Sequence, residues 1–107
     1  MLKVTIIDKD LNELIMYGQN KGKYKKLARD AKFVNKLISI YNLMKTLNDT
    51  SELKPLSYLH YEQLKHTSLS SVRIMNGRVE RLIFKETEDG LEITLIELNQ
   101  THYGNKK

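Results

Sequence analysis

The 107-residue sequence contains no cysteine, no tryptophan and a single proline, Pro55. The absence of cysteine excludes disulfide frameworks, thiolate catalysis and cysteine-ligated metal sites. No apolar run approaches the roughly 20 residues that a membrane-spanning helix needs. The first ten residues, MLKVTIIDKD, have too short an apolar stretch and too early an aspartate for a secretory signal peptide. We therefore expect a cytoplasmic protein that has no membrane partner.

The remaining composition is that of one globular domain, which we assign to residues 1–107. Apolar residues make up 40% of the chain, which is too much for a compositionally disordered protein. Three histidines are present, but no pair of them has the helical spacing of a zinc site. We expect neither a bound metal ion nor a cofactor.

The positive charge is concentrated in one segment. The formal net charge is +5, and residues 21–36 contain six lysines and one arginine against one aspartate. The rest of the chain is close to neutral. Such a segment indicates either a polyanion or an acidic protein as partner, or merely a solvated helix face, and charge alone leaves these readings open.

The hydrophobic periodicity predicts an α+β fold in the order β-α-α-β-β-β. Two N-terminal helices would pack on one face of a small, mostly antiparallel sheet, with the first strand at an edge or in the centre. The predicted elements are residues 2–7, 11–19, 24–47, 70–75, 78–84 and 91–98. The first helix would be capped by Asp8 or Asp10 and end near Gly18. Pro55 excludes a central strand from the long connection 48–66.

The second predicted helix has an apolar and a basic side. Apolar residues recur every three to four positions at Leu27, Ala31, Val34, Ile38 and Tyr41, and Leu37 and Met44 widen this stripe. Basic residues recur on the opposite side at Lys25, Arg29, Lys32 and Lys36. We call these four residues the basic set, and the periodicity predicts that they form one continuous ridge.

The Asn76-Gly77 dipeptide predicts a two-residue hairpin turn. In that register Arg73 opposes Glu80 and shares the core-facing side of the sheet with Leu82 and Phe84. The simplest interpretation of Arg73 is then a cross-strand ion pair with Glu80, and a nucleic-acid contact is the alternative.

The same register predicts that Arg81 lies on the opposite and more open face, beside Ile96 and Leu98. No acidic residue opposes it there, which favours a role in ligand binding. Continued alternation places His102 on that face as well. The other reading of His102 and Tyr103 is an exposed C-terminal tail.

Three segments in order carry a resemblance to a known family: LKHTSLSSVRI at 64–74, ERLIF at 80–84, and THY at 101–103. Together they resemble the RelE/ParE superfamily of bacterial toxins, and most closely its HigB-like and YoeB-like members. The resemblance implies the toxin of a type II toxin–antitoxin system. Such a toxin is a metal-independent endoribonuclease that cuts messenger RNA on the ribosome and is held by a cognate antitoxin, commonly one with a helix-turn-helix domain.

The resemblance also implies roles for individual residues. Glu62 matches a general base, Arg81 an arginine that binds the phosphate, His102 a general acid, and Tyr103 a residue that positions or stacks on a base. Lys65 matches a lysine that contacts the RNA backbone.

The basic set fits either ribosomal RNA or an acidic antitoxin. The alternative functions are a ParE-like inhibitor of DNA gyrase and a non-catalytic RNA-binding domain of the same fold.

Overall fold

A computed structural model of the chain describes residues 1–100. That part contains two α-helices and one five-stranded sheet, which confirms the predicted α+β class. The elements are β1 (Lys3–Ile6), α1 (Lys9–Tyr17), α2 (Ala31–Thr46), β2 (Glu62–Gln63), β3 (Leu69–Arg73), β4 (Arg81–Glu86) and β5 (Glu92–Asn99). Short 3₁₀ turns cover Leu27–Arg29, Thr50–Leu53 and Ser57–Leu59. Neither helix of this part is long and apolar enough to cross a membrane.

The strands lie in the order β1-β5-β4-β3-β2. β1 runs parallel to β5, and every other neighbouring pair is antiparallel. The first strand therefore occupies an edge of the sheet. The other edge is β2, a fifth strand inside the connection 48–66 for which the sequence predicted no strand. A strand of two residues is too short to show an alternating pattern, and only its pairing with β3 defines it.

The first helix follows its predicted signals. The Asp8 carboxylate accepts a hydrogen bond from the Leu11 backbone N–H at 2.8 Å, so Asp8 is the N-cap. Gly18 ends the helix in the left-handed conformation, with φ of +70°. Asp10 is not the cap; its carboxylate accepts a hydrogen bond from the Asn20 side chain at 3.0 Å instead. That bond fixes the start of the connection to α2.

The second helix begins later than predicted. Asp30 has an extended backbone, and its carboxylate accepts a hydrogen bond from the Phe33 N–H at 3.2 Å, so it caps α2. Lys25 and Arg29 precede this cap, in a turn and a 3₁₀ turn. The prediction of one continuous basic ridge is therefore wrong. An aspartate inside a basic, periodic segment is the signal that ends one element and begins another.

Both helices pack on one face of the sheet. The buried side of α2 consists of Phe33, Val34, Leu37, Ile40 and Met44, whereas the predicted stripe residue Ala31 is exposed because it occupies the first turn. The sheet contributes Val72, Leu82, Phe84, Ile93, Leu95 and Leu98 to the same cluster. Each fully buried side chain of this size contributes roughly 1.5–3 kcal/mol, so this cluster dominates the stability of the domain.

The turn between β3 and β4 is longer than predicted. Asn76-Gly77 do occupy its tip, where Gly77 has φ of +80° and the Arg78 N–H donates to the Met75 carbonyl at 3.2 Å. However, residues 74–80 lie outside the two strands, so this is not a two-residue hairpin.

The longer turn shifts the register of β3 and β4 by one residue. Arg73 is directly opposite Arg81, and not opposite Glu80. A shift of one residue moves every side chain of a strand to the other face. Val72 therefore joins Leu82 in the core, and Arg73 lies on the face of Arg81. The predicted pairing of Arg73 with Glu80 is wrong.

A bulge in β5 changes the alternation at the other side of β4. The residues that flank Ile96 pair with consecutive residues of β4, which leaves Ile96 as the extra residue. As a result Leu98 packs in the core, and Asn99 lies opposite Arg81. The prediction that Leu98 lies beside Arg81 is therefore wrong. The alternation that placed His102 on the face of Arg81 was counted from Leu98, so it no longer supports that position.

Candidate active site

Arg81, the first residue of β4, is largely buried on the face of the sheet that is turned away from the helices. Its Nε donates to the Ser71 hydroxyl at 2.8 Å, and its Nη2 donates to the His60 carbonyl at 2.6 Å. His60 has a left-handed backbone, with φ of +47°, at the end of a 3₁₀ turn. Two independent segments of the chain thus hold one guanidinium group in place.

This face is less open than the sequence predicted. Arg81 is 7% exposed and the neighbouring Ile83, on the same side of β4, is 1% exposed. Ser71, opposite Ile83, is fully buried. A guanidinium group held by protein atoms in such surroundings is rigid, and its charge is screened less than that of a surface arginine.

Glu62 lies directly beside this arginine. It opposes Ser71 across the β2–β3 pair, and its Oε1 is 3.3 Å from Nη2 of Arg81. The exposed fractions of the two side chains are very different, 53% for Glu62 and 8% for Arg81. The structure therefore brings together the two residues for which the resemblance implied a base and a phosphate ligand, and it leaves the carboxylate accessible.

Arg73 is a second arginine on the same face of the sheet. It opposes Arg81 across the β3–β4 pair, so two like charges face each other, which is an unfavourable arrangement unless an anion lies near them. The Nε of Arg73 is buried and has no hydrogen-bond partner among residues 1–100. An unsatisfied buried donor costs about 1–3 kcal/mol.

Glu80, the expected partner of Arg73, pairs with Arg78 instead. The guanidinium Nε and Nη2 of Arg78 lie 3.0 and 3.1 Å from the two Glu80 oxygens, and its Nη1 lies 2.7 Å from Asp30. The same guanidinium stacks 5.2 Å from the centre of the Phe33 ring. Sequence reasoning missed Arg78, which connects the β3–β4 turn to the start of α2.

The residues of the basic set line two different surface pockets. Lys25 and Arg29 line a pocket of about 350 Å³, whereas Lys32 and Lys36 line another of about 480 Å³. The break at Asp30 separates the two pairs along the chain. These residues therefore present two basic patches and not one ridge.

Lys65 lies apart from the two arginines. It belongs to the turn between β2 and β3 and lines a cavity of about 540 Å³ beside Ser70 and Glu86. Gln63, which follows Glu62, lines the same cavity. Successive residues of a strand point to opposite faces, so the cavity and the Glu62–Arg81 pair lie on either side of the edge strand β2.

The remaining predicted site residues, His102 and Tyr103, lie outside the described residues. The other two histidines, His60 and His66, are exposed and both have left-handed backbones. Among residues 1–100 no group of three or more histidine, aspartate or glutamate side chains is arranged to hold a metal ion.

No family model and no curated protein sequence matches this chain. What the site can do chemically must therefore be inferred from the positions of its residues. It consists of one accessible carboxylate, one rigid buried guanidinium group and a second, partly exposed arginine on the same face. This combination suits an anionic substrate that has a proton to lose, such as an RNA phosphate with its adjacent 2′-hydroxyl.

Proposed function

We propose that this protein is a metal-independent endoribonuclease that cleaves messenger RNA on the ribosome, and that it is the toxin of a type II toxin–antitoxin system. The observation that carries the proposal is the contact of Glu62 with Arg81, with Arg73 opposite Arg81 on the same face. The order of the resembling motifs supports the same family.

In the proposed reaction Glu62 accepts the proton of the 2′-hydroxyl, and the 2′-oxygen attacks the adjacent phosphorus. The bond from phosphorus to the 5′-oxygen breaks, and the products are a 2′,3′-cyclic phosphate and a 5′-hydroxyl. The leaving oxygen needs a proton, and His102 is the residue that the resemblance offers as the acid. Tyr103 would position the nucleotide.

The two arginines would stabilise the negative charge that accumulates on the phosphate oxygens during this attack. Arg81 is held by Ser71 and His60, so its charge needs no reorganisation when the substrate arrives. Arg73, on the same face, is more exposed than Arg81 and would add a second positive charge for the phosphate. A planar guanidinium group can bind two phosphate oxygens through two parallel hydrogen bonds, whereas the lysine ammonium group acts as a point charge.

The proposal also assigns partners to the basic patches. A cytoplasmic toxin of this kind needs an antitoxin, and an acidic antitoxin segment would complement Lys32 and Lys36 or Lys25 and Arg29. Ribosomal RNA is the other anionic surface that these residues fit. Lys65, on the far side of β2, would contact the RNA backbone.

The decisive experiment is cleavage of messenger RNA on programmed ribosomes, with the 5′ ends of the products mapped, by the wild type and two conservative variants. Arg81→Lys keeps the charge but loses the planar fork, and Glu62→Gln removes the base. We expect each to lower the cleavage rate by about 10²- to 10³-fold, the usual cost of one lost transition-state contact. Glu92→Gln, an exposed glutamate at the start of β5, is the matched control and should cleave normally.

Three outcomes contradict the proposal. Full activity of both variants would remove Glu62 and Arg81 from the site. Growth arrest with intact transcripts and a DNA-damage response would favour a gyrase inhibitor. Salt-sensitive RNA binding without cleavage would favour a non-catalytic RNA-binding domain.

A further inference from the structure

Three consecutive residues, His60, Tyr61 and Glu62, lie against Arg81 at the edge of the sheet, and we call them the 60–62 segment. The His60 carbonyl accepts from Nη2 of Arg81 at 2.6 Å, and the Glu62 carboxylate lies 3.3 Å from the same nitrogen. Tyr61, between them, packs on the helix side of the sheet, where its ring lies 6.3 Å from that of the core residue Phe84. Tyr61 thus connects two contacts of the candidate site to the core.

Glu86, the last residue of β4, holds the Tyr61 side chain in place. The Tyr61 hydroxyl donates to Oε2 of Glu86. The Ser70 hydroxyl, on β3, donates to the same oxygen at 2.6 Å and so fixes the carboxylate. The Lys54 ammonium group lies 5.9 Å from the centre of the Tyr61 ring and adds a cation–π contact. The phenol is therefore held both at its ring and at its hydroxyl group.

The contact between Tyr61 and Glu86 is a charge-assisted hydrogen bond at neutral pH. Burial raises the pKa of the Glu86 carboxyl, but hydrogen bonds from the hydroxyls of Ser70, Tyr61 and Thr50 outweigh that effect, and the net pKa lies below its usual value. Burial and the bond to Glu86 raise the pKa of the Tyr61 phenol, which therefore keeps its proton. A hydrogen bond to an ionised acceptor is roughly twice as strong as one between neutral groups.

The edge strand β2 gives the 60–62 segment little support of its own. It consists of Glu62 and Gln63 alone, and among the strands of residues 1–100 it pairs only with β3. The ion pair of the half-exposed Glu62 with Arg81 is a weak restraint. A general base must lie within hydrogen-bond reach of the proton that it takes, and a small misplacement costs rate. The position of Glu62 therefore depends on how its neighbour Tyr61 is held.

We propose that Tyr61, held by Glu86, is a positioning residue that keeps the 60–62 segment against Arg81 and so fixes Glu62 for its role as base. The catalytic part of this inference rests on the proposed function. The position of the segment does not, because it follows from the contacts of Tyr61 with Glu86 and Phe84. Tyr61 needs no contact with RNA to act in this way.

The first test follows the Arg81 guanidinium group by NMR and needs no RNA. Tyr61→Phe keeps the ring against Phe84 and removes only the hydroxyl that Glu86 binds. We expect the Nη protons of Arg81 to exchange with water at least about ten-fold faster in this variant, the usual effect of one lost hydrogen bond to a charged group. Tyr58→Phe, the same change at an exposed tyrosine of the same connection, should leave the exchange unchanged. Unchanged exchange in Tyr61→Phe would overturn the proposal.

The second test measures kcat and KM for cleavage on programmed ribosomes. Tyr61→Phe should lower kcat by about ten-fold and change KM by less than about two-fold, since it displaces the base and leaves RNA binding intact. Added to Glu62→Gln, it should lower the residual kcat by less than about two-fold, because the base is already absent and Ser71 still holds Arg81. Equal losses in both backgrounds would show a merely structural role and overturn the proposal. Tyr58→Phe should cleave normally.

The outcomes separate the two proposals. Cleavage that Tyr61→Phe leaves unchanged refutes the positioning role and leaves the nuclease standing. Faster exchange at Arg81 in Tyr61→Phe, in a protein that cleaves no RNA, refutes the nuclease and supports Tyr61 as the residue that holds the 60–62 segment in place. Circular dichroism checks that the variants are folded.

Discussion

Replacing Arg81 by alanine should destabilise the domain far more than replacing Glu62, although the two side chains form one ion pair. The difference follows from their burial. The Arg81 side chain is 8% exposed and donates to the buried Ser71 hydroxyl and to the His60 carbonyl, whereas the Glu62 side chain is 53% exposed.

These contacts determine how much unfolding free energy each variant loses. Arg81→Ala leaves two acceptors without their donor, and each such loss costs about 1–3 kcal/mol, which makes a total of about 2–6 kcal/mol. Glu62→Ala removes one half-exposed ion pair, which is worth about 0–1 kcal/mol. The free energy of unfolding of a domain is only about 5–15 kcal/mol, so Arg81→Ala removes a large part of the stability.

The assay is urea denaturation followed by far-ultraviolet circular dichroism, because the chain has no tryptophan to report on unfolding. We expect a large drop in the denaturation midpoint for Arg81→Ala and almost none for Glu62→Ala, with similar slopes. Equal losses in the two variants, or a loss below about 1 kcal/mol for Arg81→Ala, would refute this account of the site. Arg81→Lys is accordingly the better variant for activity.

Three further predictions concern the framework that positions the site. Tyr24→Phe should cost about 1–3 kcal/mol of unfolding free energy, since the buried Tyr24 hydroxyl accepts from the Leu98 backbone N–H at 2.9 Å, and urea denaturation measures this. Gly18→Ala should cost about 1 kcal/mol by the same assay, because its φ of +70° suits glycine and strains alanine. The hydrogen bond from Arg78 lowers the pKa of Asp30, so this pair stabilises the fold fully above about pH 4 and progressively less as the pH falls further. The loss of stability in Arg78→Met should therefore be larger at pH 7 than at pH 2.5, and an equal loss at both would contradict this linkage.

Sequence patterns predicted much of the local structure. Asp8 and Gly18 bound α1 as expected, since a cap depends on hydrogen bonds within a few residues and on the conformational freedom of one glycine. The Asp30 cap was missed because the periodic lysines around it suggested one uninterrupted helix. The edge strand β2 was missed because two residues carry no periodicity.

The candidate site was predictable only in part. The resemblance selected Glu62 and Arg81, and the structure places them in contact. Nothing in the sequence indicated that Ser71 and the His60 carbonyl would hold the arginine. These contacts join segments that are far apart along the chain.

The sequence by itself determined the class of the fold, the ends of the first helix, the concentration of positive charge in one segment and the absence of cysteine chemistry. Only the tertiary structure decided which residues share a face of the sheet. A longer β3–β4 turn moved Arg73 to the side of Arg81, and a bulge at Ile96 moved Leu98 into the core. The physical reason is that strand register depends on packing between distant segments, and a shift of one residue reverses every side chain while the local pattern stays the same.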